Sequence, residues 1–356
     1  MTQLATNPRV IKLAKDLGLP IRGDCLAHIR LFALKRIERI LAESLVPVTD
    51  LDILRRVVAD KFRVKLEFIH EDADIESIAA KYPTFHSGLP RRLRQEFLDG
   101  ATEGITLERD EWDPRQFRYL AVIDARGERG ARAYFTAWHE ITHLLVHPEQ
   151  LPFPGFRRSP PRASIDKDPL EAVVDHVTGH VACYPSFFEP TVAAEVKREG
   201  MLSFRAIEAA RAAAAPSASL FATAMGSIRF APVPTLLVTV DMALKKAEAR
   251  EVGSPQQAFQ FASPTRAAKL RVVTVVPSGT VSGSGLAIRR NMPVSAGSVL
   301  ARAYASTVDI DLVANEDQGW WEASQRGSLE PLPLCVHVVR RGRFVYGLVA
   351  VAGSFS

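Results

Sequence analysis

The sequence predicts a mixed α+β chain whose largely helical first part gives way to a β-rich last third. Three observations carry this. Apolar residues recur at helical spacing in segments such as 25–43 and 131–147. Two alternating runs, VKLEFI (64–69) and YLAVID (119–124), read as strands set among those helices. From Pro232 onward the texture changes to short β-like runs: TLLVTV, LRVVTVVP, GSGLAI and LCVHVVRRGRFVYGLVAVAG.

The elements follow in order. Residues 25–43 place Leu26, Ile29, Phe32 or Ala33, Ile37 and Ile40 on one helical face, with Arg30, Lys35, Arg36 and Arg39 mostly between them. Pro47 breaks that helix, and Thr49 or Asp50 can cap a second one over 50–61. After VKLEFI comes a polar, Arg-rich stretch with Pro83, Pro90 and Arg91-Arg92-Arg94, to which no regular element is assigned. YLAVID precedes a helix over 131–147, stopped by Pro148. A Pro/Arg loop (151–169) leads into a helix from about Pro169 to Tyr184, and two more fit 189–199 and 203–214. In the tail, Arg341-Gly342 lies between two strands as a hairpin turn.

Length and composition bound the rest. The 356 residues suffice for two or three domains, and 47% hydrophobic residues exclude wholesale disorder. No apolar run reaches the ~18 residues that a membrane-spanning helix needs. Lys12, Lys15 and Asp16 break the apolar positions of the first twenty residues, which therefore lack a secretion-signal core. Three cysteines, Cys25, Cys183 and Cys335, cannot form a disulfide framework. The expectation is a soluble cytoplasmic protein with no membrane partner. From Arg229 onward the chain carries 14 Lys and Arg against 9 Asp and Glu, which accounts for the whole net charge of +5. Arg289-Arg290 and Arg340, Arg341 and Arg343 are candidate nucleic-acid contacts there.

His139-Glu140-Ile141-Thr142-His143 is the strongest chemical signal. Histidines four apart on a helix point the same way, so both imidazoles can hold one Zn²⁺. The glutamate beside the first can take a proton from a metal-activated water and return it to a leaving amine. A third ligand is still needed. His147 lies about 12 Å along the helix from His139, too far to share the ion. The next helix, DPLEAVVDHVTGHVACYP, offers Asp175, Glu171, and His176 or His180, and local chemistry leaves all of them open. A carboxylate ligand makes Mn²⁺ the alternative ion.

Strand, HExxH helix, long loop and acidic helix together resemble the ImmA/IrrE metallopeptidases, cytoplasmic enzymes that cleave helix-turn-helix repressors. The resemblance runs from about Pro47 through PVTDLDILRRVVADKFRVKLEFI, YLAVID, FTAWHEITHLLVHP and LEAVVDHVTG. It implies a zincin-like metallopeptidase domain over 47–187, after an N-terminal helical extension (1–46). A helix-turn-helix-like segment (188–229) and a GAF-like sensor domain (230–356) follow. It also implies Asp175 as the third zinc ligand, where the family usually has glutamate; HEITH further lacks the glycine of HEIGH or HELGH. The architecture is most similar to the CapP type attached to CBASS antiphage operons. That likeness implies single-stranded DNA as activator and a helix-turn-helix repressor as protein substrate, so that cleavage derepresses a defence or damage-response operon.

Further expectations concern the site. A thiolate at Cys25, just before a helix, could act as an inhibitory fourth ligand. His176, His180 and Tyr134 are candidate oxyanion stabilisers, and an extended substrate could add as a strand along YLAVID. The rival reading is a DNA-responsive antirepressor that displaces its repressor without cutting. A direct DNA-binding factor built on 203–228 is weaker, since that stretch has only Arg205 and Arg211 before Ser227.

Overall fold

In the computed structural model, residues 2–83, 85, 88–98, 102–111, 113, 115–147, 156–158, 168–244, 268–323 and 327–353 are described. The fold is mixed α+β, with helices and two main sheets. No described helix is long and apolar enough to cross a membrane. The chain forms two units, Met1–Thr191 with Arg211–Thr223, and Val192–Ala210 with Ala224–Ser356. Residues 188–229 are thus shared between both units.

The first unit begins with helices α1 (Thr2–Ala5), α2 (Pro8–Asp16) and α3 (Cys25–Glu43). Helix α3 spans the range its periodicity predicts. Asp24 caps it by accepting from the Ala27 amide at 3.1 Å, and Leu26, Ile29, Ala33, Ile37 and Ile40 are buried. Asp50 caps α4 (Leu51–Lys61) through the amides of Asp52 and Ile53.

The sheet of this unit has the order β1-β3-β2-β4. Strand β1 (Val64–Ile69) runs parallel to β3 (Tyr119–Asp124), and β2 (Gly104–Glu108) pairs antiparallel with β3. On the outer side of β2 lies β4 (Phe156–Arg158), antiparallel, with Gly104 opposite Arg158 and Thr106 opposite Phe156. Strand β3 is buried along its whole length, as an interior strand must be. One face of the sheet packs on α5 (Ala73–Lys81) and α6 (Leu89–Phe97) through Ile75, Ile78, Leu89, Leu93, Phe97, Ile105 and Leu107. The other face receives α7 (Gly130–Leu145), which in turn packs against α8 (Pro169–Val181).

The stretch without a predicted element therefore holds α5, α6 and β2. Helix α6 hides its apolar stripe, Leu89, Leu93 and Phe97 at i, i+4 and i+8, among arginines. Most of the predicted loop 151–169 lies outside the described residues. Helices α9 (Pro185–Glu199), α10 (Phe204–Ala214) and α11 (Leu220–Ser227) follow.

The second unit is built on a five-stranded antiparallel sheet, β6-β5-β11-β10-β7. These are β5 (Thr235–Ala243), β6 (Lys269–Pro277), β7 (Ile310–Asp317), β10 (Pro333–Arg341) and β11 (Phe344–Val351), with β8 (Glu322–Ala323) and β9 (Gly327–Ser328) as a separate short pair. The hairpin at Arg341-Gly342 forms, with Gly342 at φ +57° and Arg341 opposite Phe344. GSGLAI is not a strand: Gly283 and Gly285 take φ of +79° and +81°, which breaks extended geometry, although Ile288 still enters the core. Helix α12 (Val299–Ala305) covers one sheet face, over a core that includes Leu300, Trp321, Val336, Val338 and Val349. Gly347 permits this contact, since a Cβ there would stand 2.8 Å from Leu300 Cδ2 and 3.0 Å from Val238 Cγ2.

Candidate metal centre

The two histidines of α7 lie one turn apart and both are buried. Their Nε2 atoms are 3.1 Å apart, with ring planes nearly perpendicular at 80°. Helix α8 brings the third donor. Asp168 caps its first turn by accepting from the Leu170 amide at 2.8 Å, with Pro169 at the first helical position. One turn in, Glu171 places Oε2 3.1 Å from Nε2 of His139 and Oε1 3.4 Å from Nε2 of His143. Ligand atoms of His139, His143 and Glu171 all lie within 4.8 Å of one another.

Asp175 takes a different place from the one the resemblance implies. Its Oδ1 lies 2.8 Å from Nδ1 of His139, on the opposite side of the ring from Glu171. An i, i+4 pair on α8 thus grips one imidazole from both nitrogens. The earlier residue reaches the convergent face and the later one reaches the back. Asp175 is placed to accept from Nδ1–H, the tautomer that would leave the Nε2 lone pair for an ion. Metal-ligating histidines commonly donate their other ring N–H to a carboxylate in this way. Two imidazole nitrogens and a carboxylate at this spacing suit a divalent ion such as Zn²⁺.

Glu140, the residue after His139, is fully buried. Thr106 Oγ1 donates to its Oε2 at 2.6 Å. Sequence reasoning missed Thr106 because β2 is short and sits in the unassigned stretch; the alternation in GITLE is the signal that could have found it. Arg36 was also missed, since it acts across 108 positions. Its guanidinium donates to the Leu144 and Leu145 carbonyls at 3.2 and 3.1 Å, capping α7 at its C-terminus.

Other predicted site residues lie elsewhere. Tyr134 commits its hydroxyl to the Ala182 carbonyl at 2.6 Å, where burial pushes its pKa well up, so it braces α7 against the end of α8. His176 and His180 pair with each other, ring centroids 5.1 Å apart, and are not part of the convergent group among the described residues. Cys25 is buried at the start of α3, and its thiol donates to the Ile21 carbonyl at 3.6 Å rather than joining the cluster. YLAVID is flanked by β1 and β2, so it has no open side on which a substrate strand could add.

In the second unit the basic residues divide. Arg340 donates to the Ala303 and Tyr304 carbonyls, closing the end of α12, and Arg341 pairs with Glu208 at 2.9 Å. Both thus have structural partners. Arg289, Arg290 and Arg343 are exposed, with Arg343 over the Phe344 ring. A search of protein-family models finds no match to this chain, and a search of curated proteins finds none either.

Proposed function

We propose that this chain is a zinc-dependent endopeptidase of the ImmA/IrrE kind, with a zincin-like first unit and a GAF-like second unit. The observation that carries the reading is the convergence of ligand atoms from two histidines and a carboxylate, with the fully buried Glu140 next to His139 in the chain. A purely structural metal site has no need of a base there. His139, His143 and Glu171 would hold the ion, and zinc in that place supplies Lewis-acid polarisation of water and of the scissile carbonyl.

Residues of the chain do the rest. Asp175 fixes the tautomer and orientation of His139. Glu140 accepts the proton of the attacking water and returns it to the leaving amine, so that one peptide bond breaks and one water is consumed. Beyond β2, whose Thr106 holds Glu140, the sheet ends at β4 (156–158). An extended substrate adds along that edge, oriented by backbone hydrogen bonds. The substrate is a helix-turn-helix repressor, and single-stranded DNA bound by the exposed arginines of the second unit is the activating signal.

The test is intact-mass analysis of the helix-turn-helix repressor encoded nearest this gene. It is incubated with this protein and zinc, with and without single-stranded DNA, with Glu140→Gln as control. One fragment pair that requires both Glu140 and DNA is the expected result. Cleavage without DNA would remove the sensor. An uncut repressor that still leaves its operator would replace the peptidase with a displacement mechanism.

A further inference from the structure

Glu140 is not positioned by α7 alone. Strand β2 divides its alternating residues between two tasks. Ile105 and Leu107 enter the core shared with α5 and α6. Gly104 and Thr106 lie on the opposite face, under the Glu140 carboxylate. Thr106 Oγ1 donates to Oε2 at 2.6 Å in a buried pair. At Gly104 an added Cβ would stand 2.9 Å from Glu140 Oε1 and 2.8 Å from Thr136 Cγ2. Gly104 is not among the residues with positive φ, so no backbone conformation demands glycine there. A glycine inside a strand weakens it and often marks a close approach, and here the approaching group is the carboxylate.

The two contacts fall on different oxygens. We propose that Thr106 and Gly104 are positioning residues for Glu140: the hydroxyl clamps Oε2, and the missing side chain leaves room for Oε1 over β2. This rests on the reading of Glu140 as the base. Thr106 acts through Glu140 and needs no contact with substrate.

The test uses the full chain loaded with Co²⁺, whose visible spectrum reports both metal occupancy and the binding of acetohydroxamate. A hydroxamate gives up its proton to a neighbouring carboxylate as it chelates, so its affinity reports where that carboxylate is held. Thr106→Val, which keeps the shape and removes the donor, is expected to weaken acetohydroxamate at least about tenfold, or ~1.4 kcal/mol, with Co²⁺ affinity unchanged. Thr106→Ser should restore it to near the wild-type value, and Gly104→Ala should weaken it. Glu140→Gln should weaken it at least as much as Thr106→Val. Wild-type affinity in Thr106→Val, with Glu140→Gln weakened, would overturn the positioning role and leave the base standing. Wild-type affinity in Glu140→Gln would overturn the reading of Glu140 itself. Equal losses in the valine and serine variants, or loss of Co²⁺ from Thr106→Val, would assign Thr106 to packing and also overturn the proposal.

Discussion

Asp175 sits behind His139: its Oδ1 is 2.8 Å from Nδ1, while Nε2 of the same ring faces Glu171. The aspartate therefore orients the imidazole, and the glutamate one turn earlier lies where an ion would be held. Asp175→Asn should keep a single zinc per chain and weaken its affinity about 10–100-fold, the usual effect of losing an outer-shell carboxylate. Competition with a chromophoric chelator measures this. An unchanged affinity would remove Asp175 from the site.

Tyr134 tests the brace between the two site helices. Tyr134→Phe leaves the buried Ala182 carbonyl without its donor, a loss of about 1–3 kcal/mol in unfolding free energy. Zinc affinity should change little, because the hydroxyl does not face the cluster. A large fall in cleavage with unchanged stability would instead return Tyr134 to the oxyanion role.

Asp124 anchors the end of β3. Its burial would push the carboxyl pKa up, but hydrogen bonds from the side chain and amide of Arg126 and from Arg129 hold it below the ordinary carboxylate value. A lowered folded-state pKa contributes stability above the unfolded value near 3.9, and that stability is lost as pH falls through the folded value. Asp124→Asn should cost about 3–5 kcal/mol at pH 7, because it leaves two arginines without their shared partner. The gap to wild type should begin to narrow as pH falls below about 4 and close only below the folded value. Urea melts across pH 3–7 measure it, and a pH-independent gap would contradict the ion-pair account.

In the second unit, Gly347→Ala should destabilise by about 1–3 kcal/mol, since its Cβ would push on Leu300 and Val238. Thermal melts that follow Trp321, buried in that core, read this directly.

The pairing of His139 and His143 was legible because a four-residue spacing maps straight onto one helical face. Helix α3 and the hairpin at Gly342 were legible for the same kind of reason, a local period and a local turn. Choosing between Glu171 and Asp175 was not local. Both lie on one face of α8, and the choice depends on how far that helix is slid along α7. Strand β2 escaped notice because five residues give little alternation to read. Its contact with Glu140 arises only when β2 pairs with β3, beneath α7. The GSGLAI stretch misled in the opposite sense: its apolar residues do enter the core, but from a turn that its glycines shape.

The most direct test of the metal centre is zinc stoichiometry and X-ray absorption on the full chain, compared with Glu171→Gln and Asp175→Asn. The account predicts one zinc bound by two imidazoles and a carboxylate, with no sulfur neighbour. It further predicts an ion nearly lost from Glu171→Gln and retained, more weakly, by Asp175→Asn. An ion held at full affinity without Glu171 and lost without Asp175 would contradict it.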